Sequence, residues 1–241
     1  LIELEKDYVS LLNELGRSAF TSQSIRKLAN LQAFYLLKPV EAGEHLSKLL
    51  ELPKISPIVL AQTKLELGDI YILTGEVWEA VLLYGQVEKQ FSNEPFGQEA
   101  KFKNAKLSFF QGDFVWSKAQ LDVLKSSTSQ LIANDALNLS LLISDNLQNE
   151  TDTAALRKYS NAELLIFKNQ PDKALALLDS LNILYPGNSL ADDILMAKSK
   201  IFLKNKENEK AVLQLQEITE KHLSELWGDD ALFMLANLYE N

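Results

Sequence analysis

The side chains best suited to chemistry are few and scattered. The chain holds two histidines, His45 and His222, and no cysteine. A metal site needs three or four ligands converging from short, patterned spacings, and the histidines show no HExxH arrangement. Both read as surface or packing residues. Without cysteine there is no disulfide, no thiol nucleophile and no thiolate metal site, a fact that fixes no compartment. Aspartate and glutamate are plentiful, but they fall on polar helix faces. Asp229-Asp230 and Glu207-x-Glu209 suit helix starts, where negative charge meets the positive end of the macrodipole. Paired-carboxylate catalysis needs two of them facing one cleft. No Walker pattern, GxGxxG or GxSxG occurs, and Gly112-Asp113 reads as a turn. The sequence thus predicts no catalytic residue, no cofactor site and no metal ligand, and so no enzyme.

Composition narrows the partner class. Of 241 residues, 46% are hydrophobic, which is enough for a substantial core. Glycine and proline are sparse, and leucine, alanine, lysine and glutamate form a helix-favouring mixture. A net charge of −9 disfavours nucleic acid and anionic membrane surfaces. Arg17, Arg26 and Arg157 are the only arginines, so bidentate phosphate recognition has few candidates. No apolar run approaches the ~20 residues of a membrane span, and no signal peptide is visible. The chain starts within one helical pattern at Leu1 and stops within another at Asn241, which reads as a fragment.

These residues must be positioned by helices, because apolar positions recur at i, i+3, i+4 and i+7 almost throughout. The spacing predicts helices over 2–16, 22–37, 40–51, 57–74, 77–91, 97–111, 114–126, 134–148, 152–168, 172–184, 190–204, 208–222 and 229–240. Ser56-Pro57 supplies an N-cap and a first-turn proline. Gln170-Pro171-Asp172 repeats that logic, and Pro186-Gly187-Asn188-Ser189 is a turn in which Ser189 can cap the next helix. Asn134-Asp135 and Thr151-Asp152 are further cap candidates. Short loops make neighbouring helices antiparallel. No flexible linker divides the chain.

A pattern returns every 37 residues. Its clearest copy is Leu65 to Ala80, with Gly68, Tyr71, Gly75, Ala80 and then Tyr84. Small residues recur at Ala105, Ala162, Ser199 and Ala236. A second small series runs Ala80, Ser117, Ala174 and Ala211. The longer step from Ala105 to Ala162 implies one inserted helix, 134–148. Leu67-Gly68-x2-Tyr71 and Ala80-x3-Tyr84 resemble the tetratricopeptide-repeat (TPR) family, whose pattern is W-x2-L-G-x2-Y, A-x3-F, P. The resemblance covers residues 22–241, with the other units degenerate. It is greatest to long-period TPR proteins of the bacterial cell envelope. It implies an all-α, right-handed α-α superhelix, a single solenoid over 1–241. Its units would be 24–60, 61–97, 98–133, an extra helix at 134–150, 151–188, 189–228 and a partial unit at 229–241. Tyr71, Phe202 and Tyr239 would fill the gap between layers.

The resemblance also implies a noncatalytic scaffold that holds a protein or peptide on its concave face. In that register the candidates are Arg26, Asp69, Phe102, Lys106, Phe109 and Lys200. Phe102, Phe109, Phe110 and Trp116 form the most aromatic stretch, readable as hairpin core or as a binding patch. The basic carboxylate clamp of chaperone-binding TPR proteins is not recognisable, since Leu65 and Asp69 occupy its register. Asp152-Thr153-Ala154 and Asp179-Ser180-Leu181 fit a loose glycan-acceptor pattern, which leans toward a periplasmic or outer-membrane-associated location. The last helix carries Leu232, Phe233, Leu235 and Leu238 with no second helix after it, so self-association through that end is a further expectation. Two alternatives stand beside the scaffold: an accessory or sensory domain of a larger enzyme or envelope assembly, and a self-assembling structural module.

Overall fold

Leu37, Gly75, Gly112, Asn169 and Lys206 all adopt left-handed backbone geometry, with φ of 56°, 91°, 78°, 55° and 63°. Each sits in the turn between two helices of a hairpin. In four of them the following N–H closes onto a carbonyl five residues back: Glu76 to Tyr71, Asp113 to Ser108, Gln170 to Leu165 and Glu207 to Phe202, at 2.8–2.9 Å. This is a Schellman-type ending, which satisfies carbonyls that the helix leaves unpaired. Glycine fills the left-handed position at no steric cost in two turns only.

The computed structural model describes residues 1–125, 130–147 and 150–240. Thirteen helices are described and no strand. They are α1 (Ile2–Leu15), α2 (Ser22–Phe34), α3 (Pro39–Leu50), α4 (Pro57–Thr74), α5 (Val77–Gln90), α6 (Pro95–Gln111) and α7 (Phe114–Leu124). They continue with α8 (Gln130–Asp145), α9 (Glu150–Phe167), α10 (Pro171–Leu184), α11 (Ala191–Lys204), α12 (Asn208–Lys221) and α13 (Gly228–Glu240).

The second helix of every hairpin buries one triplet at i, i+4 and i+7: Ala42-Leu46-Leu49, Ala80-Tyr84-Val87, Ser117-Leu121-Leu124, Ala174-Leu178-Leu181 and Ala211-Leu215-Ile218. That spacing is one helical stripe, a small residue where the helices approach and two large ones filling the layer. On the first helices Gly68, Ala105, Ala162 and Ser199 are buried as well.

The described residues gather into two units, Leu1–Leu107 with Val123–Ala133, and Ser108–Asp122 with Asn134–Asn241. In the first, α1 lies on α2, α2 pairs with α3, α3 packs on α4 and α4 pairs with α5. Leu28, Leu46, Leu67 and Ile70 share its core with Leu12 of α1. In the second, α9 pairs with α10, α11 pairs with α12, and α13 packs on α12. Met196, Leu215, Ile218, Ala231 and Leu235 form a core there. The single solenoid over 1–241 stays an expectation.

Several local expectations are corrected. α2 stops at Phe34, short of 37, because Leu37 turns left-handed. α8 begins at Gln130, so Asn134 and Asp135 lie inside it and cap nothing. α9 begins at Glu150, which places Thr151 and Asp152 in its first turn. Ser189 does not cap α11; its hydroxyl bonds Asn146 Oδ1 at 2.7 Å. Ser56 does cap α4, accepting from Val59 N at 3.3 Å. Tyr239 fills no layer: it is 66% exposed and accepts a bond from Gln216 Nε2. The expected helix ends at 126 and 148, and Asn241, lie outside the described residues.

Candidate functional site

In the first unit α1, α2 and α4 enclose a groove of about 380 Å³. Leu1, Leu4 and Tyr8 of α1 and its flank face Leu31 and Tyr35 from α2 and its end, and Arg26 and Glu66 complete the wall. α1 turns Tyr8 and Leu12 toward the core while Leu1 and Leu4 stay exposed, so one edge of the groove is open and apolar.

Arg26 is locked at its polar edge. Nε donates to Glu66 Oε2 at 2.8 Å, and Nη2 donates to Glu66 Oε1 at 2.6 Å. Nη1 donates to Gln62 Oε1 at 2.6 Å and to Gln23 Oε1 at 3.0 Å. The planar guanidinium matches a carboxylate bidentately, and the Arg26 side chain is only 11% exposed. Arg26 is therefore a fixed wall with its charge already answered by Glu66, rather than an open receptor for a partner's carboxylate.

Asp69 is similarly engaged. It accepts from Tyr84 Oη at 2.7 Å and from Lys103 Nζ at 2.8 and 2.9 Å, tying α4 to α5 and α6. Burial, then the Asp69 charge, pushes the Tyr84 hydroxyl far above its ordinary range, so it stays a donor. Glu99 lies near this network, with its carboxyl raised by burial and partly relieved by Lys103.

The other candidates divide. Phe102 and Lys106 are half-buried in the first unit. Lys200, in the second, is exposed and lies over the Trp227 ring at 4.3 Å from its centroid. Phe109 is 1% exposed and packs on Phe110 and Phe114, and Phe110 packs in turn on Phe167. That aromatic stretch is hairpin core, and the expectation of Phe109 as a partner contact gives way to it. Trp116 alone of the group is exposed. His45 is half-buried with its pKa lowered, by burial first and then by the Arg17 and Lys48 charges. No group of three or more His, Asp or Glu among the described residues is placed to hold a metal ion.

The hairpins are TPR-like. The repeated left-handed turn and the buried small-x3-large-x2-large stripe carry that statement for each pair. No protein-family model matches the chain, and no curated protein matches it. Among solved structures it is similar to the crystal structure of a tetratricopeptide repeat protein from Parabacteroides merdae ATCC 43184. The two are 14% identical over 98% of this chain and 91% of the other, with a TM-score of 0.46.

Sequence reasoning missed Gln62, Glu66 and Lys103, which decide what Arg26 and Asp69 do. Lys103 sits four residues after Glu99, an i,i+4 spacing that marks a helix-surface charge pair. Nothing local marks Glu66, which lies 40 residues from Arg26. No helix among the described residues is long and apolar enough to cross a membrane.

Proposed function

We propose that this chain is a noncatalytic scaffold that holds a protein or peptide segment, and that the α1–α2–α4 groove is its receiving surface in the first unit. The observation that carries the reading is the pairing of an open apolar wall with an ordered polar edge. Leu1, Leu4 and Tyr35 offer area that water leaves readily, while the Arg26–Glu66 couple fixes orientation without rearranging. An amphipathic segment suits such a wall, with apolar residues on α1 and polar groups toward Glu66. Arg26, Asp69, Phe102, Lys106 and Lys200 remain candidates for contact, with Arg26 and Asp69 acting as supports.

A photo-reactive residue at Tyr35, compared with one at Trp78, tests this. Trp78 is 80% exposed on α5 and is not part of the groove. Selective cross-linking of a partner from position 35 supports the reading, and capture from position 78 alone overturns it.

A second reading rests on α13. Gly68, Ala105, Ala162 and Ser199 are all covered, yet Ala236, at the same repeat phase, is exposed beside Leu232 and Phe233. A second copy of the chain covering that stripe would make it a self-assembly surface. Sedimentation of wild type against Phe233→Glu distinguishes an association that the charge abolishes from a monomer unaffected by it.

A further inference from the structure

The second unit holds a cavity of about 440 Å³ where the end of α8, the first turn of α11 and the segment before α13 meet. Its wall carries four carboxyl groups, Asp145, Asp192, Asp193 and Glu225, with the polar side chains of Asn146 and Ser189 and no basic residue. Asp192 is 3% exposed and Asp193 is 4% exposed. Asp193 is answered: its Oδ1 accepts from the Trp227 indole Nε1 at 2.7 Å. Asp192 is not. Its Oδ2 is buried and receives no N–H or hydroxyl donor, and its carboxyl lies within hydrogen-bond reach of Glu225, a bond that forms only when one of the two holds a proton.

Placing Asp192 and Asp193 in the first turn of a helix favours negative charge there, and the N–H groups at the start of α11 offset part of it. That offset supplies no donor to Oδ2 and nothing to Glu225. A buried carboxylate without a donor, opposed by a second carboxylate, is a costly arrangement. Burial, then the Glu225 charge, raises the Asp192 carboxyl to about 6. Burial, then the Asp192 charge, raises Asp193 to about 8, against the lowering effect of Trp227. Glu163 and Asp145 push the same way on Asp193. Of the nearby basic groups, His222 already meets one oxygen of the Glu225 carboxylate, its Nδ1 3.1 Å from Oε1, and Lys200 lies over the Trp227 ring.

We propose that this cavity binds a basic side chain, an arginine guanidinium or lysine ammonium, presented by a partner polypeptide. Asp192 Oδ2 and Glu225 accept its N–H groups, and Asn146 and Ser189 shape the polar wall. An organic cation fits better than a metal ion, because the described carboxylates do not form a group placed to hold one. The cation takes the place of the proton that the carboxyl groups otherwise retain, so binding strengthens as pH rises from 5 to 8. This site is separate from the α1–α2–α4 groove, and its failure would leave the cross-linking result at Tyr35 untouched.

The test is an NMR titration of the full chain with Nα-acetyl-arginine amide and Nα-acetyl-lysine amide, reading the Trp227 indole N–H. We expect a saturable shift, stronger at pH 8 than at pH 5. Asp192→Asn should weaken it by about tenfold or more, because a charged acceptor is lost. Glu225→Gln, outside any helix, should weaken it likewise if Asp192→Asn does not fold. Glu209→Gln, an exposed carboxylate elsewhere in the unit, should leave it unchanged. No saturable shift would overturn the proposal, as would equal weakening by Glu209→Gln or equal affinity in wild type and both cavity variants. Calcium chloride that saturates the same resonance and excludes both amides would assign the cavity to a metal ion instead.

Discussion

Gly68 lies directly against the ring of Tyr84: a Cβ built on Gly68 would stand 2.4 Å from Tyr84 Cε1 and 2.9 Å from Cζ. That closeness lets Tyr84, fully buried, reach across and donate to Asp69 on the helix of the glycine itself. A packing stripe and a polar tie therefore share one side chain. Gly68→Ala should lower stability by about 1–3 kcal/mol through overpacking, despite alanine's better helix propensity. Urea unfolding checks it. Coupling to Tyr84→Leu in a double-mutant cycle should return part of the loss, since the smaller side chain removes the clash.

Leu37 takes a left-handed conformation, φ 56°, with its side chain exposed in the α2–α3 turn. A Cβ in that region costs roughly 1–2 kcal/mol, and glycine's extra unfolded-state entropy returns ~0.5–1 kcal/mol of the advantage. Leu37→Gly should accordingly stabilise the chain by about 0.5–1 kcal/mol. A lower urea midpoint for this variant would contradict the proposed strain.

Phe109 and Trp116 make a contrasting pair. Removing the buried ring by Phe109→Ala should cost about 3–5 kcal/mol by cavity formation. Trp116→Ala, at an exposed position, should change stability by less than ~0.5 kcal/mol. Equal losses would show that the aromatic stretch packs in another register.

Glu66→Gln should cost about 1–3 kcal/mol, because it weakens a charge-assisted bidentate bond and leaves a largely buried guanidinium without its counter-charge. Arg26→Lys should lose a similar amount, since an ammonium cannot form the fork. Thermal or urea midpoints of both variants, with circular dichroism to confirm helix content, measure the effect.

Asp192 and Asp193 set a pH dependence. Both carboxyls are raised in the folded chain, to about 6 and about 8, above their ordinary range near 4. The folded state then binds more protons than the unfolded state between those limits. Their contribution is fully present below about pH 4 and is lost as pH rises through 6 to 8. Asp192→Asn should raise the thermal midpoint at pH 7.5 relative to wild type and flatten its decline from pH 4.5 to 8. A steeper decline in the variant would reverse the assigned sign.

The helices and their repeat were legible because their causes are local. Pro57, Gly75, Gly112 and Pro171 punctuate the chain within a residue or two of where its helices begin and end, and Ala80, Ser117, Ala174 and Ala211 mark the close-packed stripe by spacing alone. The helix pattern follows from side-chain periodicity over a few turns. What the charges do was not legible. Arg26 finds Glu66 across 40 residues, and Asp69 finds Lys103 across 34. Asp192-Asp193 and Asp229-Asp230 stand at the same repeat phase, yet the first pair is buried and the second exposed. A sequence sets which face of a helix a residue occupies, because that depends on backbone geometry. Only the packed structure decides what covers that face, and burial with its neighbouring charges determines whether a carboxylate is a solvated surface group, a structural tie or a site.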